Sequence, residues 1–184
     1  VGWLPRGSLE IDGVSLNVAS VGMGNPHVVV PVDDLSLIPF EEWGSALEVH
    51  PAFPAKTNVH FLKVHSRDQL EIRVWERGAG PTLACGTGAC ATLVAAVLLD
   101  LADDHAEVML PGGPLLIAWP GRSGSVLMTG PAEAVFDGVI TPELVPAPSL
   151  LDAKAPVPNA GTTPVEHTPA PSPEDEAAAL AKVQ

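Results

Sequence analysis

The sequence predicts an α+β fold: a curled, mostly antiparallel, barrel-like sheet around one central buried helix. Three observations predict it. Residues 89–101 are apolar almost all round a helix, with Leu93, Val94, Val97, Leu98 and Leu101, and such a helix is covered on most sides. Short runs with strand-like patterning stand before and after it, separated by Gly- and Pro-containing turns. Repeated strand–helix alternation is missing, so a doubly wound parallel sheet does not fit.

Each element follows in order. Residues 14–20 and 27–32 read as strands joined by the turn Gly22-Met-Gly-Asn-Pro26. Phe40, Trp43 and Leu47 recur at helical spacing after Pro39, which suits a first-turn position, and Pro51 and Pro54 end that short helix. Residues 58–65 and 70–76 form a hairpin around Ser66-Arg-Asp68. In its second strand Leu70, Ile72 and Val74 alternate with Glu71, Arg73 and Trp75, the period of a half-buried strand. After the central helix, strands are expected at 106–110, 115–119, 125–129 and 133–137. From about Thr141 to Pro173, Pro, Ala, Ser and Thr dominate without a period. The predicted division is therefore a folded domain over 1–140 and a Pro/Ala-rich disordered tail over 141–184, with a short terminal helix within 174–182.

Bulk composition narrows the function. The chain has 184 residues, 46% of them hydrophobic and only 4% aromatic, with no Tyr. Its net charge of −13 argues against nucleic acid or an anionic membrane as partner, because both demand basic patches. A small anionic substrate remains compatible, since a few amides and one or two cations decide that. No apolar run is long enough to span a bilayer, and no secretory signal is visible. Two cysteines five positions apart make no disulfide framework, so a cytoplasmic setting is expected.

The most informative segment is Trp75-Glu-Arg-Gly-Ala-Gly-Pro-Thr-Leu-Ala-Cys85-Gly-Thr-Gly-Ala-Cys90. A strand delivers Cys85 onto a glycine-rich turn, and the apolar helix follows at once. The amides of Gly86, Thr87 and Gly88 are then unpaired donors at the positive end of the helix dipole. That position predicts a lowered thiol pKa, and it suits a substrate carboxylate on the same amides. Taken alone, a cysteine before a helix is more often a small buried hydrophobe. Flanking glycines, Glu76 and Arg77 just upstream, and the turn Gly24-Asn25-Pro26-His27 shift that balance. Arg77 reads equally as a surface arginine or as a forked carboxylate partner. By itself His27 reads as a satisfied structural histidine, and Asn25 and Asn58 as turn residues.

Other motif readings fail. Gly86-Thr-Gly-Ala-Cys-Ala91 has dinucleotide-fingerprint spacing, but the acid expected at the end of the next strand is missing, and Glu107 stands at that strand's start. A phosphate loop requires Lys-Ser or Lys-Thr where Ala-Cys stands. Zinc requires more ligands than Cys85 and Cys90 offer, and Cys90 reads as helix core.

Together, Gly24-Asn-Pro-His27, Phe53-Pro-Ala-Lys-Thr-Asn-Val59, Val74-Trp-Glu-Arg-Gly-Ala-Gly80 and Leu83-Ala-Cys-Gly-Thr-Gly-Ala89 closely resemble the diaminopimelate epimerase family, from roughly residue 14 to 140. The resemblance implies interconversion of LL- and meso-diaminopimelate for lysine and cell-wall synthesis, without pyridoxal phosphate, metal or other cofactor. It implies two cysteines on opposite faces of the α-carbon, Cys85 being one. It further implies that Gly86 and Thr87 hold the reacting carboxylate, and that Asn25, Asn58, Arg77 and the Glu76 backbone hold the distal groups. His27 and the Glu76 side chain are expected near the reacting centre, tuning the thiol. The family also tends to form homodimers.

One departure is serious. The family has two similar domains with a catalytic cysteine each, and only the second is matched here. The start at Val1-Gly-Trp-Leu-Pro, without Met, reads as entry into a longer protein whose N-terminal half is missing. Five helical residues place Cys90 about 7.5 Å along the same axis on another face, so it cannot oppose Cys85 across a ligand. The expectation is therefore a half-site, inactive alone. Two alternatives stay open: another cofactor-independent racemase or isomerase of the same fold, proline racemase-like, or a truncated half that only binds or dimerises.

Overall fold

The computed structural model describes residues 6–122 and 124–141. The chain divides into two compact units, Val1–Pro131 and Ala132–Gln184. In the first unit, β1 (Gly7–Ile11), β2 (Val14–Gly22) and β3 (Pro26–Pro31) precede α1 (Phe40–Glu48). Then come β4 (Asn58–Ser66), β5 (Gln69–Glu76), β6 (Gly80–Thr82) and α2 (Gly86–Leu98), followed by β7 (His105–Leu110), β8 (Gly113–Ala118) and β9 (Leu127–Thr129). The class is α+β, as the sequence predicts.

Among the described residues one sheet contains all nine strands in the order β1-β2-β3-β4-β5-β7-β8-β9, with β6 also paired to β5. Most pairings are antiparallel; β3 with β4 and β5 with β7 are parallel. Among the described residues β1 and β9 end the path without pairing to each other, so the sheet is not closed and the expected barrel-like closure is not observed. β1 was not anticipated. Its link to β2 is the pair Asp12 (φ 50°) and Gly13 (φ 80°), a two-residue hairpin turn that demands positive φ at both positions.

Both faces of the sheet are covered. Val29, Leu62, Leu70, Ile72 and Val74 pack with α2 residues such as Ala89, Leu93 and Val97 in one core. Val28, Val30, Val59 and Phe61 pack with Phe40 and Leu47 of α1, and with Leu9 and Ile11 of β1, in a second core. Successive residues of β3 and β4 thus serve opposite cores, which explains their unbroken burial. α2 packs against β2, β3, β4, β5, β7, β8 and β9, so it is central, as its all-round apolar surface demands. It starts at Gly86, three residues earlier than its apolar period suggests, because glycines dilute the pattern of its first turn.

α1 carries a tight contact that sets a limit on substitution. A Cβ at Gly44 would lie 2.8–2.9 Å from Cγ, Cδ2 and Cε3 of Trp75. Gly44→Ala gains about 1 kcal/mol of helix propensity, whereas overpacking costs typically about 1–3 kcal/mol. The ring is pinned by its Nε1 donating to Glu48 (2.9 Å), so net destabilisation is expected, read as a lower urea midpoint. An unchanged or raised midpoint refutes the contact's rigidity.

In the second unit the described residues have no regular structure, and Val135, Phe136, Val139 and Ile140 are exposed. The strand expected at 133–137 is therefore not observed. The tail and terminal helix expected beyond Thr141 lie outside the described residues.

Candidate functional site

The parallel pairing of β3 with β4 sets His27 opposite Asn58, and β5 ends beside them at Glu76. Strand alternation then puts His27, Asn58, His60 and Glu76 on the face that carries α2. Asn58 ties the strand ends together. Its Nδ2 donates to Pro26 O (3.0 Å), and its Oδ1 accepts the Arg77 amide (2.9 Å). Arg77 is exposed, with Nη1 donating to Ala55 O (2.9 Å). Gly78 and Gly80 turn the chain back at φ 79° and 75°, conformations that favour glycine.

Cys85 is the N-cap of α2, in extended conformation (φ −147°, ψ 99°), and its carbonyl accepts the first helical bond from Ala89. Sγ lies 3.7 Å from Thr87 Oγ1. Only 8% of the residue is exposed. The expectation of a lowered thiol pKa is overturned. Burial pushes the Cys85 thiol up, and the Glu76 carboxylate adds to the rise, while the Thr87 hydroxyl and Gly88 amide oppose it. Desolvation of the charged form outweighs the helix end here.

Gly86 and Thr87 line a cavity of about 380 Å³ with Met23, Cys90, Ser125, Val126 and Met128 among its walls. Cys90 is thus partly exposed at this wall rather than wholly in the core. Both thiols are free. Among the described residues no cluster of three or more His, Cys, Asp or Glu is arranged to hold a metal, and no helix is long and apolar enough to cross a membrane.

His27 is 1% exposed and both its ring nitrogens are engaged: Nδ1 with His60 Nε2 (2.8 Å) and Nε2 with Asn25 Oδ1 (2.9 Å). Burial first, then the Arg77 charge, lowers its pKa to about 4. The ring is neutral at pH 7 and reaches the site through its neighbours rather than as an open base. His60 was not anticipated. It is fully buried, its pKa is lowered to about 3 by burial and by His27, and its Nδ1 has no partner. It packs on α2 where the helix starts: a Cβ at Gly88 would overlap His60 Cε1 and lie 3.0 Å from both His60 Nδ1 and Cys85 Sγ. The available signal was a histidine two residues past Asn58 in an otherwise apolar run, which burial obliges to find a partner.

Glu48 was also missed. Its buried carboxylate accepts from Trp75 Nε1 (2.9 Å), Gly78 N (3.1 Å) and Lys56 Nζ (3.3 Å). These contacts hold its pKa below the usual carboxylate range, the Trp75 bond foremost. The carboxylate thereby fixes the turn that carries Arg77.

Comparison with known proteins adds a second kind of observation. A family model described as "Diaminopimelate epimerase" matches residues 19–135. A diaminopimelate epimerase of Prochlorococcus marinus (strain MIT 9313) is 72% identical over 144 residues, covering 78% of this chain and 48% of the relative. "Diaminopimelate epimerase 1" of Nostoc sp. (strain PCC 7120 / SAG 25.82 / UTEX 2576) is 56% identical over 130 residues, covering 71% and 47%. The enzyme of Pseudomonas savastanoi pv. phaseolicola is 50% identical over 135 residues, covering 73% and 49%. The chain spans about half the length of the curated relatives it matches.

Proposed function

Because the chain belongs to the diaminopimelate epimerase family, we propose that it supplies one half of a site that inverts an α-carbon of diaminopimelate by two-cysteine proton transfer, with no cofactor. The observation that carries this reading is Cys85 at the N-cap of α2, with Glu76 and Thr87 beside it. Its raised pKa favours the protonated thiol form at neutral pH. It delivers its proton to the α-carbon as an opposed thiolate removes one from the other face, and the roles reverse in the reverse reaction.

Gly86 and Thr87 border the cavity at the helix start, where their amides are suited to hold the reacting carboxylate as negative charge builds on it. Asn25, Asn58 and Arg77 suit the distal amino and carboxylate groups. His27 and Glu76 support the site from behind. In this reading the opposed thiol and the rest of the carboxylate grip come from the other half of the relatives' length, which the chain does not match. A homodimer and a cytoplasmic setting, which suits two free thiols, complete it.

The test separates half-site from whole. Purified alone, the chain is expected to show negligible epimerisation of LL-diaminopimelate, because Cys90 lies on the same helix as Cys85. Joined to the N-terminal half of the Prochlorococcus relative, it is expected to epimerise. Turnover by the chain alone at a rate comparable to a full-length enzyme refutes the half-site assignment, and an inactive joined protein that is folded refutes the reaction.

A further inference from the structure

We propose that His60 is a positioning residue that sets the direction of the hydrogen-bond chain His60→His27→Asn25, so that Asn25 presents its amide N–H groups, not its carbonyl, to the ligand. The inference deepens the epimerase reading and rests on it for the ligand, a carboxylate. The geometry is a continuous buried chain: His60 Nε2 to His27 Nδ1 at 2.8 Å, then His27 Nε2 to Asn25 Oδ1 at 2.9 Å.

Two neutral rings joined nitrogen to nitrogen share one proton, so the chain has two possible directions. If His60 donates, His27 carries its proton on Nε2 and donates to Asn25 Oδ1, and His60 Nδ1 is a bare lone pair. If His27 donates instead, neutral His60 must carry its proton on Nδ1. That nitrogen is wholly buried and has no hydrogen-bond partner. It packs at the start of α2, where a Cβ on Gly88 would lie 3.0 Å from it, and no acceptor for a proton there is within hydrogen-bond reach. Buried N–H groups without acceptors are rarer than under-used acceptors. The empty end of the chain therefore decides its direction.

The consequence appears at the other end. With Oδ1 occupied by His27, half-buried Asn25 offers only Nδ2, which has no protein partner among the described residues. Two N–H donors match a carboxylate and mismatch an ammonium group. His60 touches no ligand itself. It acts through His27.

Long-range proton–nitrogen NMR of the ¹⁵N-labelled 184-residue chain at pH 7 reads the tautomers directly and without turnover, so its failure is separate from failure of the epimerase reading. Both rings are expected to be protonated on Nε2 and bare on Nδ1; either ring found protonated on Nδ1 overturns the proposal. His60→Gln keeps a donor for His27 Nδ1, so His27 is expected to remain a single Nε2–H tautomer. His60→Leu removes the donor, and the His27 signals are expected to move to the averaged positions of a tautomer mixture. A folded Leu variant in which His27 stays wholly Nε2–H overturns the proposal. If neither variant folds, the parent spectrum decides.

Discussion

In the enzyme joined from both halves, Cys85→Ala is expected to lower epimerisation of LL-diaminopimelate by about 10²–10⁴-fold, the usual contribution of a positioned acid–base group. The loss is expected in both directions, because the same sulfur gives the proton in one and takes it in the other. Neither neighbour can substitute. Glu76 is a carboxylate whose charge raises the thiol's pKa from beside it, and Thr87 Oγ1 is an alcohol far too weak an acid. The fold should hardly notice. Cys85 makes no side-chain cap hydrogen bond to α2, so Ala removes little beyond a small buried sulfur. The check is chiral analysis of product beside a urea titration. A variant within tenfold of the parent, equally stable, rules out Cys85 as the acid–base group.

Acidification is expected to destabilise the domain steeply between pH 6.5 and pH 4, well before most carboxylates titrate. His27 and His60 are buried and neutral, with pKa values lowered to about 4 and about 3. Unfolding releases both to an ordinary value near 6.5, so below that pH the unfolded chain binds more protons than the folded one. Stability is therefore full above pH 6.5 and falls as pH drops toward the folded values. Each ring contributes a loss on the order of 3 kcal/mol by pH 4, against a typical total stability of about 5–15 kcal/mol. Asp34, Asp68, Asp104 and Glu48, whose pKa values are all lowered, add losses that begin as pH falls through the ordinary carboxylate range near about 4 and overlap the lower end of the histidine window. Urea midpoints at a series of pH values check this, and His60→Gln should remove about half of the upper-window loss. Stability that stays flat from pH 6.5 to pH 4.5 excludes two buried neutral rings.

The two histidines also mark the border of what the sequence could disclose. His27 stands in a turn motif and was legible; His60 sits inside β4, where a lone histidine has a bland reading. Alternation along β3 and β4 is local and places each ring on the α2 face, but their contact requires the parallel pairing of strands separated by α1. Glu48 escaped notice for the same reason: its three donors come from residues 8 to 30 positions away. The hairpin turn at Asp12-Gly13, by contrast, is a local signal, since Asp-Gly supplies the two positive φ values such a turn demands.

The sequence by itself determined the strand–turn–helix carrying Cys85, the all-round apolar helix behind it, most strands of the sheet and the family. These depend on the order and period of neighbouring residues. Tertiary structure alone decided that among the described residues the sheet stays open and 133–137 forms no strand, that burial raises the Cys85 thiol rather than lowering it, and that His60 stands behind His27. Each of those rests on which distant groups exclude water or offer a hydrogen bond, and no local pattern carries that information.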